Sequence, residues 1–529
     1  MTHLRHLRAA AIATSLALTL VACGQKPGVH VEGSTGGLPV AGGGLPADGG
    51  TEGLDGGGTF SLDGGTEAPL DGGTEGGLDT GGDLGGSTDA GTTGGDAGGQ
   101  TGGSAGGQTG GSAGGSSGGQ TGGSSGGQTG GSSGGSTGGG QKIAPRGSNT
   151  TGAPADKIVI GIHAPVTGAA PLPSTSFAQA GDLYWKYITE DQKQTVVGRN
   201  KVEVVFRDDK YDPANARQVC REMANSAFLL VGGGGTDQIQ ACGQLAGSSG
   251  FPYFSAGVTE AGLGGNPWYF ASSMTYRQQG VLLGQYIAKN PDNVAGLGGS
   301  GKIAAVVTAT DNFNDALAGF EQGIKNAGLS GRYAGATRPG KGDANWYGTV
   351  AQDLKAKGVK IVYINASPVD YIRFAQKARE ANAGFQYVGV GITMGLNAVL
   401  NSGCPDVDKG VFFSPFPGLD KAPAEFKAAG QKFGKPTDDI SLALWGLASQ
   451  QHELFKRYEQ TFEGTKLTRE DFRALTEAQG SLPPAKGVGV FPAVGYSSSN
   501  HFGGQGVHVL QADCGPKQYK TLQAFAKGF

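Results

Sequence analysis

The sequence predicts an α/β protein of two lobes, in which each lobe is a parallel sheet flanked by helices, preceded by a disordered glycine-rich tether. Two observations lead to this architecture. Apolar runs typical of buried strands alternate with helix-like segments from about residue 156 to the C-terminus, and repeated strand–helix–strand order is typical of parallel sheets covered on both faces. The roughly 375 residues of this part exceed what one hydrophobic core organises, which predicts two lobes.

The predicted elements follow in order along the chain. The first strand, residues 157–162, is almost entirely apolar, as expected for a strand covered on both faces. A helix is predicted over residues 177–189. Another is predicted to start at Asp212-Pro213 and lead to residue 227, because Asp is a favoured N-cap and Pro suits the first turn. The further predicted strands are residues 202–206, 228–231, 252–256, 302–310, 360–365 and 386–391.

The chain is predicted to cross between the lobes three times. The first lobe is expected to contain residues 151–277 and 415–497. The second lobe is expected to contain residues 278–414 and 498–529.

Glycine and charge are distributed unevenly. Gly contributes 102 of the 529 residues, and about half of these lie between residues 24 and 140. Residues 27–141 include acidic residues but no Lys or Arg. Such a segment cannot bury enough apolar surface to fold, so residues 23–150 are predicted to be a disordered tether with a mean reach of roughly 60 Å. The rest of the chain is only mildly positive, which excludes a dominant nucleic-acid-binding surface.

The N-terminus has the features of an export signal. Arg5 and Arg8 precede an apolar run that is too short to span a bilayer, so residues 1–22 are predicted to be a signal peptide. Residues 20–23 (LVAC) are similar to a bacterial lipobox. This similarity implies that Cys23 is acylated, becomes the first mature residue, and anchors the protein at the extracytoplasmic face of the cell membrane. The alternative is an ordinary signal peptide followed by a chance Cys.

A set of short motifs carries a family resemblance. The first strand continues as His163-Ala-Pro-Val-Thr-Gly168. The motifs that follow are Asp208-Asp209, Tyr211-Asp212-Pro213, Val231-Gly232 and residues 252–255, 269–270, 278–280 and 304–307. In this order, over residues 156–529, they resemble the type I periplasmic-binding proteins, in the branch that binds leucine, isoleucine and valine for ABC importers. The resemblance implies three crossings between lobes, an ABC permease as partner, no cofactor and no enzymatic activity.

The loop of residues 232–237 is the first expected ligand contact, because ligands of open parallel sheets bind beyond the carboxyl ends of the strands. Four glycines, including Gly235, let the backbone approach a ligand closely. Thr236 then begins a helix whose N-terminal amides favour an anion. The resemblance aligns Thr236 with a carboxylate-binding Ser. A plain turn with a helix cap is the alternative.

The resemblance supplies further contacts in the first lobe. It implies that the backbone of Gly257 and the backbone and hydroxyl of Thr259 bind the carboxylate and ammonium of the ligand. The alternative for these residues is a strand-to-helix cap. Ser174, in the segment of residues 171–175, is included for its position alone.

In the second lobe the resemblance places Phe313 at a family Tyr that packs on the ligand, and Ser367 at another frequent Tyr. Gly391 falls near the family's Glu, which pairs with the ligand ammonium. Without that Glu, an α-amino acid loses a charge partner in a dry cleft. The solute is therefore left open among an amino acid, an amide and a carboxylate, and packing in the core or a loop is the alternative for these positions. The acids that could replace the Glu are Asp237, Asp311 and Asp370.

Four cysteines remain after Cys23, and an even number in an exported protein predicts two disulfides. The resemblance implies a Cys220–Cys242 disulfide, because family members often have one in this region. Cys404 and Cys514 both fall in the predicted second lobe and are paired with each other. Free buried thiols are the alternative. No His or further Cys is spaced as a metal ligand, so no metal site is predicted.

These features predict a monomeric solute-binding lipoprotein of an ABC importer, which traps a small polar solute between its lobes by hinge closure. The alternative is a sensor that uses the same cleft and reports closure to a membrane receptor. The sequence offers no nucleophile–base pair for a hydrolase on the same frame.

Overall fold

The computed structural model describes residues 142–168, 171–256, 258–297, 300–341, 343–391 and 396–529. The predicted signal peptide, the acylated Cys23, most of the tether and Gly257 lie outside the described residues. In the described part of the chain, no helix has the length and apolar character needed to cross a bilayer.

The first sheet has five strands, all parallel, in the order β2-β1-β3-β4-β5. The pairing is in register from Lys157–Lys201 to Ala164–Asp208 between the first two strands. The strands are β1 (Lys157–Ala164), β2 (Lys201–Asp208), β3 (Leu229–Gly232), β4 (Tyr253–Ser255) and β5 (Tyr269–Ala271).

The second sheet has seven strands in the order β12-β11-β10-β9-β8-β6-β7. Its first five strands in the chain are parallel, whereas the last two form an antiparallel hairpin that also pairs antiparallel with β10. This hairpin was not predicted from the sequence. The strands are β6 (Lys302–Val307), β7 (Tyr333–Thr337), β8 (Val359–Asn365), β9 (Gln386–Val390), β10 (Val411–Ser414), β11 (Val507–Asp513) and β12 (Gln518–Ala526).

Twelve α-helices occur in the described residues. The single helix predicted over residues 177–189 is two short helices followed by a π-helical turn, Tyr187–Asp191. The interruption includes Gly181, and glycine is a poor helix former. The helices are α1 (Ser174–Ala178), α2 (Leu183–Lys186), α3 (Pro213–Ala224), α4 (Thr236–Ser249), α5 (Tyr276–Lys289), α6 (Asn314–Asn326), α7 (Trp346–Ala356), α8 (Pro368–Glu380), α9 (Asn397–Gly403), α10 (Ala424–Phe433), α11 (Asp439–Thr461) and α12 (Arg469–Glu477).

The central strands of each sheet are buried on both faces. Ile158 and Ile160 of β1 pack in a cluster with α1, α2 and α10 to α12, whereas Val159 packs on the opposite face with α3 and α4. Two further apolar clusters cover the two faces of the second sheet. The chain therefore passes from the first lobe to the second after β5, returns with α10 to α12, and passes to the second lobe again before β11.

The described chain begins with a segment that is attached to the first lobe. Ile143 forms a β-bridge with Phe462, just after α11. The backbone N–H of Gly147 donates to Asp471 at 2.8 Å, and that of Asn149 donates to Glu470. Composition assigned residues up to 150 to the disordered tether, whereas acidic side chains in the first turn of α12 hold residues 147–149 in place.

The structure contains both predicted disulfides. Cys220–Cys242 joins α3 to α4 within the first lobe. Cys404–Cys514 joins the end of α9 to the residue that follows β11, and its partners are separated by 110 residues in sequence.

Candidate ligand-binding cleft

A cavity lies between the two lobes, beyond the carboxyl ends of β1, β3 and β8. The space between its walls, counted together with the solvent at its mouth, is about 880 Å³. Both lobes contribute walls, with Gly232–Thr236 on one side and Phe313 and Ser367 on the other. This is the position that parallel-sheet topology favours for a ligand.

Four of the predicted contact residues line this cavity. They are Gly235, Thr236, Phe313 and Ser367. The first two come from the loop after β3. Phe313 ends a short 3-10 turn after β6, and Ser367 follows β8.

Three other predicted contacts lie elsewhere. Ser174 is exposed on α1. Thr259 is buried, and its hydroxyl donates to Asp315 Oδ2 at 2.8 Å instead of facing the cavity. Gly391 lies behind Tyr276, because a Cβ on Gly391 would lie 2.5 Å from Tyr276 Cε1. At the position where an ammonium-binding Glu was expected, there is therefore no room for a side chain unless Tyr276 moves.

The glycine loop opens the N-terminus of α4 to the cavity. Gly235 is the N-cap, has φ +76°, and offers no side chain to the first turn. The first helical backbone bond runs from Ile239 N to Gly235 O, so the preceding N–H groups have no partner within the helix. Gln238 of the same turn is fully buried, and neither its Oε1 nor its Nε2 has a hydrogen-bond partner among the described residues.

The Ser367 side chain caps the N-terminus of α8. Its hydroxyl accepts the backbone N–H of Asp370 at 3.1 Å and donates to Asp370 Oδ2 at 2.8 Å, which caps α8. The Tyr347 hydroxyl donates to the other oxygen of Asp370 at 2.6 Å. The Asp370 carboxylate is therefore engaged on both oxygens and does not line the cavity.

Tyr211 lines the cavity, although it was not predicted from the sequence as a ligand contact. It has φ +57°, an uncommon conformation for a bulky residue. Its backbone N–H donates to Asp209 Oδ1 at 3.1 Å, and Asp209 Oδ2 lies 2.8 Å from Nδ1 of the buried His163. His163 thus supports, through Asp209, the turn that presents Tyr211 to the cavity.

Both cavity-lining tyrosines retain their hydroxyl proton at neutral pH. Burial, with the nearby carboxylates of Asp237, Asp370 and Asp209, raises the pKa of Tyr211 to about 12. Burial also raises the pKa of Tyr276. Both groups can therefore donate a hydrogen bond to a ligand oxygen.

One wall of the cavity is apolar. Ile440, Ala443, Leu444 and Leu447 follow a helical spacing along one face of α11, which is typical of a single continuous stripe. Sequence periodicity could have found this stripe, but it could not show that the stripe meets the cavity.

The acids proposed to replace the missing Glu do not line the cavity either. Asp237 Oδ2 lies 2.6 Å from Lys341 Nζ, and Asp237 also accepts a hydrogen bond from Asn312. Asp311 is exposed. With Asp370 engaged as described, no charged side chain is found among the described residues that line the cavity.

Several contacts join the lobes around the cavity. Besides the Lys341–Asp237 ion pair, Asp315 of the second lobe accepts from the Thr259 hydroxyl and from Glu260 N at 2.6 Å. Lys341 Nζ lies 5.3 Å from the centre of the Tyr211 ring. The lobes are therefore closed over the cavity.

One cluster combines residue types that bind metals. His163, Cys220 and Cys242 place ligand-type atoms within 4.8 Å of one another. Both sulfurs belong to one disulfide, and both nitrogens of His163 are bonded, to Asp209 and to the Tyr253 hydroxyl at 2.7 Å. This cluster is part of the core and offers no free ligand atom to a metal.

The model of a family described as periplasmic binding protein matches residues 157–518. No curated protein matches the chain. A valine-bound branched-chain amino acid ABC transporter protein from Thermus thermophilus is similar in structure, with a TM-score of 0.56, 16% identity, and coverage of 70% of this chain and 96% of that one.

Two further solved structures have the same fold. A fatty acid ABC transporter substrate-binding protein from Thermomonospora curvata has a TM-score of 0.57 at 17% identity, covering 72% of this chain and 95% of that one. A solute-binding protein from Rhodopseudomonas palustris BisB5 in complex with 3,4-dihydroxy benzoic acid has a TM-score of 0.54 at 19% identity, covering 71% and 98%.

Proposed function

This chain belongs to the periplasmic binding protein family, whose members bind solutes for ABC transporters and are not enzymes, and we propose that it captures a small solute between its lobes for an ABC importer. The observation that carries the proposal is the cavity. It is lined from both lobes, it lies at the carboxyl ends of the strands, and a helix N-terminus opens into it.

Hinge closure is the proposed mechanism of capture. Both Phe313 of the second lobe and Thr236 of the first line the cavity, so a ligand that contacts both favours the closed state over the open one. The Lys341–Asp237 pair at the rim adds to closure without contacting the interior. Opening would separate the two walls and release the solute to the permease.

The Thr236 end of the cavity is proposed to hold an acceptor group of the solute. The Thr236 hydroxyl and the first-turn N–H groups of α4 all donate, and the positive end of the helix dipole favours negative charge there. The backbone of Gly235 would complete this wall, and Ser367 would contact the solute from the wall of the second lobe.

The proposal includes the location of the protein. We propose that Cys23 carries the lipid that anchors the chain at the extracytoplasmic face of the membrane, and that a single copy suffices for binding. Labelling cells with a palmitate analogue and comparing the wild-type chain with Cys23→Ser checks the anchor. Loss of label and release of the variant from the membrane are expected, and a labelled variant would contradict the anchor.

Thermal denaturation with a panel of amino acids, amides and carboxylates tests solute binding. A solute at 100 times its Kd should stabilise the folded state by about 2.7 kcal/mol. Thr236→Val should weaken binding about tenfold, because it removes one hydrogen-bond donor, whereas Thr236→Ser keeps the hydroxyl and should bind nearly as well. If no small solute raises the Tm, or if both variants bind like the wild type, the proposed site is wrong.

A further inference from the structure

We propose that the solute is a monocarboxylate with an apolar body and no ammonium group, and that its body packs against α11 in the first lobe. This inference rests on the proposed function and adds the chemical class of the solute. It is carried by three features of the cavity: an apolar wall, no charged group on the described lining, and hydrogen-bond donors at the N-terminus of α4.

The apolar wall is built by two elements that face the cavity together. Phe177 of α1 and Leu172, just before it, are almost fully buried, and so are the stripe residues of α11. The glycine loop makes room for them, since a Cβ on Gly233 would lie 2.5 Å from Phe177 and one on Gly234 would lie 2.7 Å from Leu172. The wall-forming residues are Leu172, Phe177, Ile440, Ala443, Leu444 and Leu447.

An apolar wall of this kind favours a hydrocarbon or aromatic body. Transfer of apolar surface from water to such a wall is favourable in proportion to the area buried. A polar or charged body would instead lose its hydration here without gaining partners. The wall therefore selects against short polar amino acids and against dicarboxylates with a charge at each end.

Among the described residues, the lining offers no carboxylate to pair with an ammonium group. The nearest carboxylates are already bonded, Asp237 to Lys341 and Asn312, and Asp370 to Ser367 and Tyr347. A buried ammonium without a partner is strongly disfavoured. An α-amino acid should consequently bind more weakly than the same molecule without its amino group.

The hydrogen-bond donors of the cavity come from other elements than the stripe of α11. The first-turn N–H groups of α4 and the Thr236 hydroxyl can all donate to a carboxylate, with Tyr211 and Tyr276 as neighbouring hydroxyl donors. An anion satisfies this set of donors better than a neutral amide does.

Matched ligands test the inference on the wild-type protein. Calorimetric titration compares octanoate with 2-aminooctanoate, octanamide and leucine. We expect octanoate to bind, and both the added ammonium and the neutral amide to weaken binding at least tenfold. If 2-aminooctanoate or leucine binds as tightly as octanoate, or more tightly, the inference is wrong.

The same titrations separate this inference from the proposed function. If leucine binds and Thr236→Val weakens its binding, the solute-capture function stands and only the solute class is wrong. If none of these ligands and no member of the broader panel binds, both the proposed solute class and the proposed function are wrong. Octanoate that binds equally well to the wild type and to Thr236→Val would place the acid outside this cavity and would overturn the inference.

A pair of variants on α11 tests where the body lies. Ala443→Leu adds bulk to the wall, whereas Ala448→Leu adds the same bulk on the same helix at a buried residue that does not line the cavity. Ala443→Leu should weaken octanoate about tenfold and leave butyrate within about twofold, and Ala448→Leu should change neither. Equal effects of the two variants, or an equal loss of octanoate and butyrate, would contradict packing of the body against α11. The ligand comparison does not depend on these variants, so it decides the solute class even if either variant misfolds.

Discussion

The ammonium of Lys341 lies 2.6 Å from the carboxylate of Asp237, and this ion pair joins the second lobe to the first helical turn beside the cavity. The Lys341 side chain is about half exposed, with a relative exposure of 47%. An ion pair that is open to solvent contributes little to overall stability. Its position makes it a contact that exists only while the lobes are closed.

Lys341→Ala should therefore affect solute release more than folding. We expect a two- to fivefold loss of affinity, mainly through faster dissociation, and a Tm without solute close to that of the wild type. Stopped-flow measurement of dissociation checks this. Lys357→Ala is the control, because Lys357 pairs with Asp353 within one lobe at a similar exposure. An equal effect of the two variants would rule out a role of Lys341 in closure.

Asp439 should make stability depend on pH. Burial first, and then the charge of Asp438, raise the pKa of Asp439 from 3.8 to about 7, although the backbone N–H of Asn397 in the second lobe donates to it. The folded state therefore binds this proton more tightly than the unfolded chain does. The penalty for ionising Asp439 is absent below about pH 4, grows as the pH rises to about 7, and is then constant, reaching a few kcal/mol at most.

Denaturant unfolding at pH 4, 5.5 and 7 measures this effect. Between pH 4 and 7, the unfolding free energy of Asp439→Asn should fall less than that of the wild type. Other groups titrate in both proteins, so the difference between the two curves is the informative quantity. Parallel curves for the two proteins would show that Asp439 has an ordinary pKa.

Gly391→Ala should displace Tyr276 from the cavity wall. Gly391 has φ +95°, and a Cβ there would lie 2.5 Å from Tyr276 Cε1. We expect a loss of about 1–3 kcal/mol in unfolding free energy from overpacking and backbone strain, with weaker solute binding. Gly384→Ala is the control, because Gly384 has φ +62° and open space around its Cβ position. If Gly391→Ala and Gly384→Ala change the unfolding free energy equally, Tyr276 can move away from the added Cβ without destabilising the fold.

The two disulfides should differ in how much they stabilise the fold. Cys404–Cys514 closes 110 residues, and Cys220–Cys242 closes 22. Loop-closure entropy alone makes the longer link about 1.4 kcal/mol more stabilising. Replacing each pair by Ala and comparing unfolding free energies checks the order. A larger loss for the shorter link would mean that packing around its buried sulfurs outweighs chain entropy.

Four strands of the first lobe could be predicted from their apolar runs, and residues 157–162 lie within β1. The fifth, β5, has only three residues and was not predicted as a strand. The hairpin of β11 and β12 could not be predicted in this way, because β12 lies at a sheet edge and carries exposed residues that interrupt its apolar pattern. In the cavity, Thr236 was accessible to sequence reasoning because it follows a glycine loop at a strand end. Tyr211 was not, because Asp209 and His163, which support its turn, meet only in the folded chain.

The resemblance to a family of amino acid binders could not predict contacts between residues that are distant in the sequence. It drew attention to Gly391 as the position of a missing charge, but the structure places Tyr276 against that position. The apolar stripe of α11 lies more than 200 residues after the glycine loop, and only the return of the chain to the first lobe brings the two together.

The segment from Ile143 to Asn149 bonds to α12 and to the residues after α11, all of which belong to the first lobe. The point at which the described chain begins is therefore fixed to the first lobe. If the proposed lipid on Cys23 holds the tether at the membrane, the first lobe would stay near the anchor during opening and the second lobe would move. A permease would then meet one stationary half and one moving half, and it could distinguish loaded from empty protein by the position of the moving half.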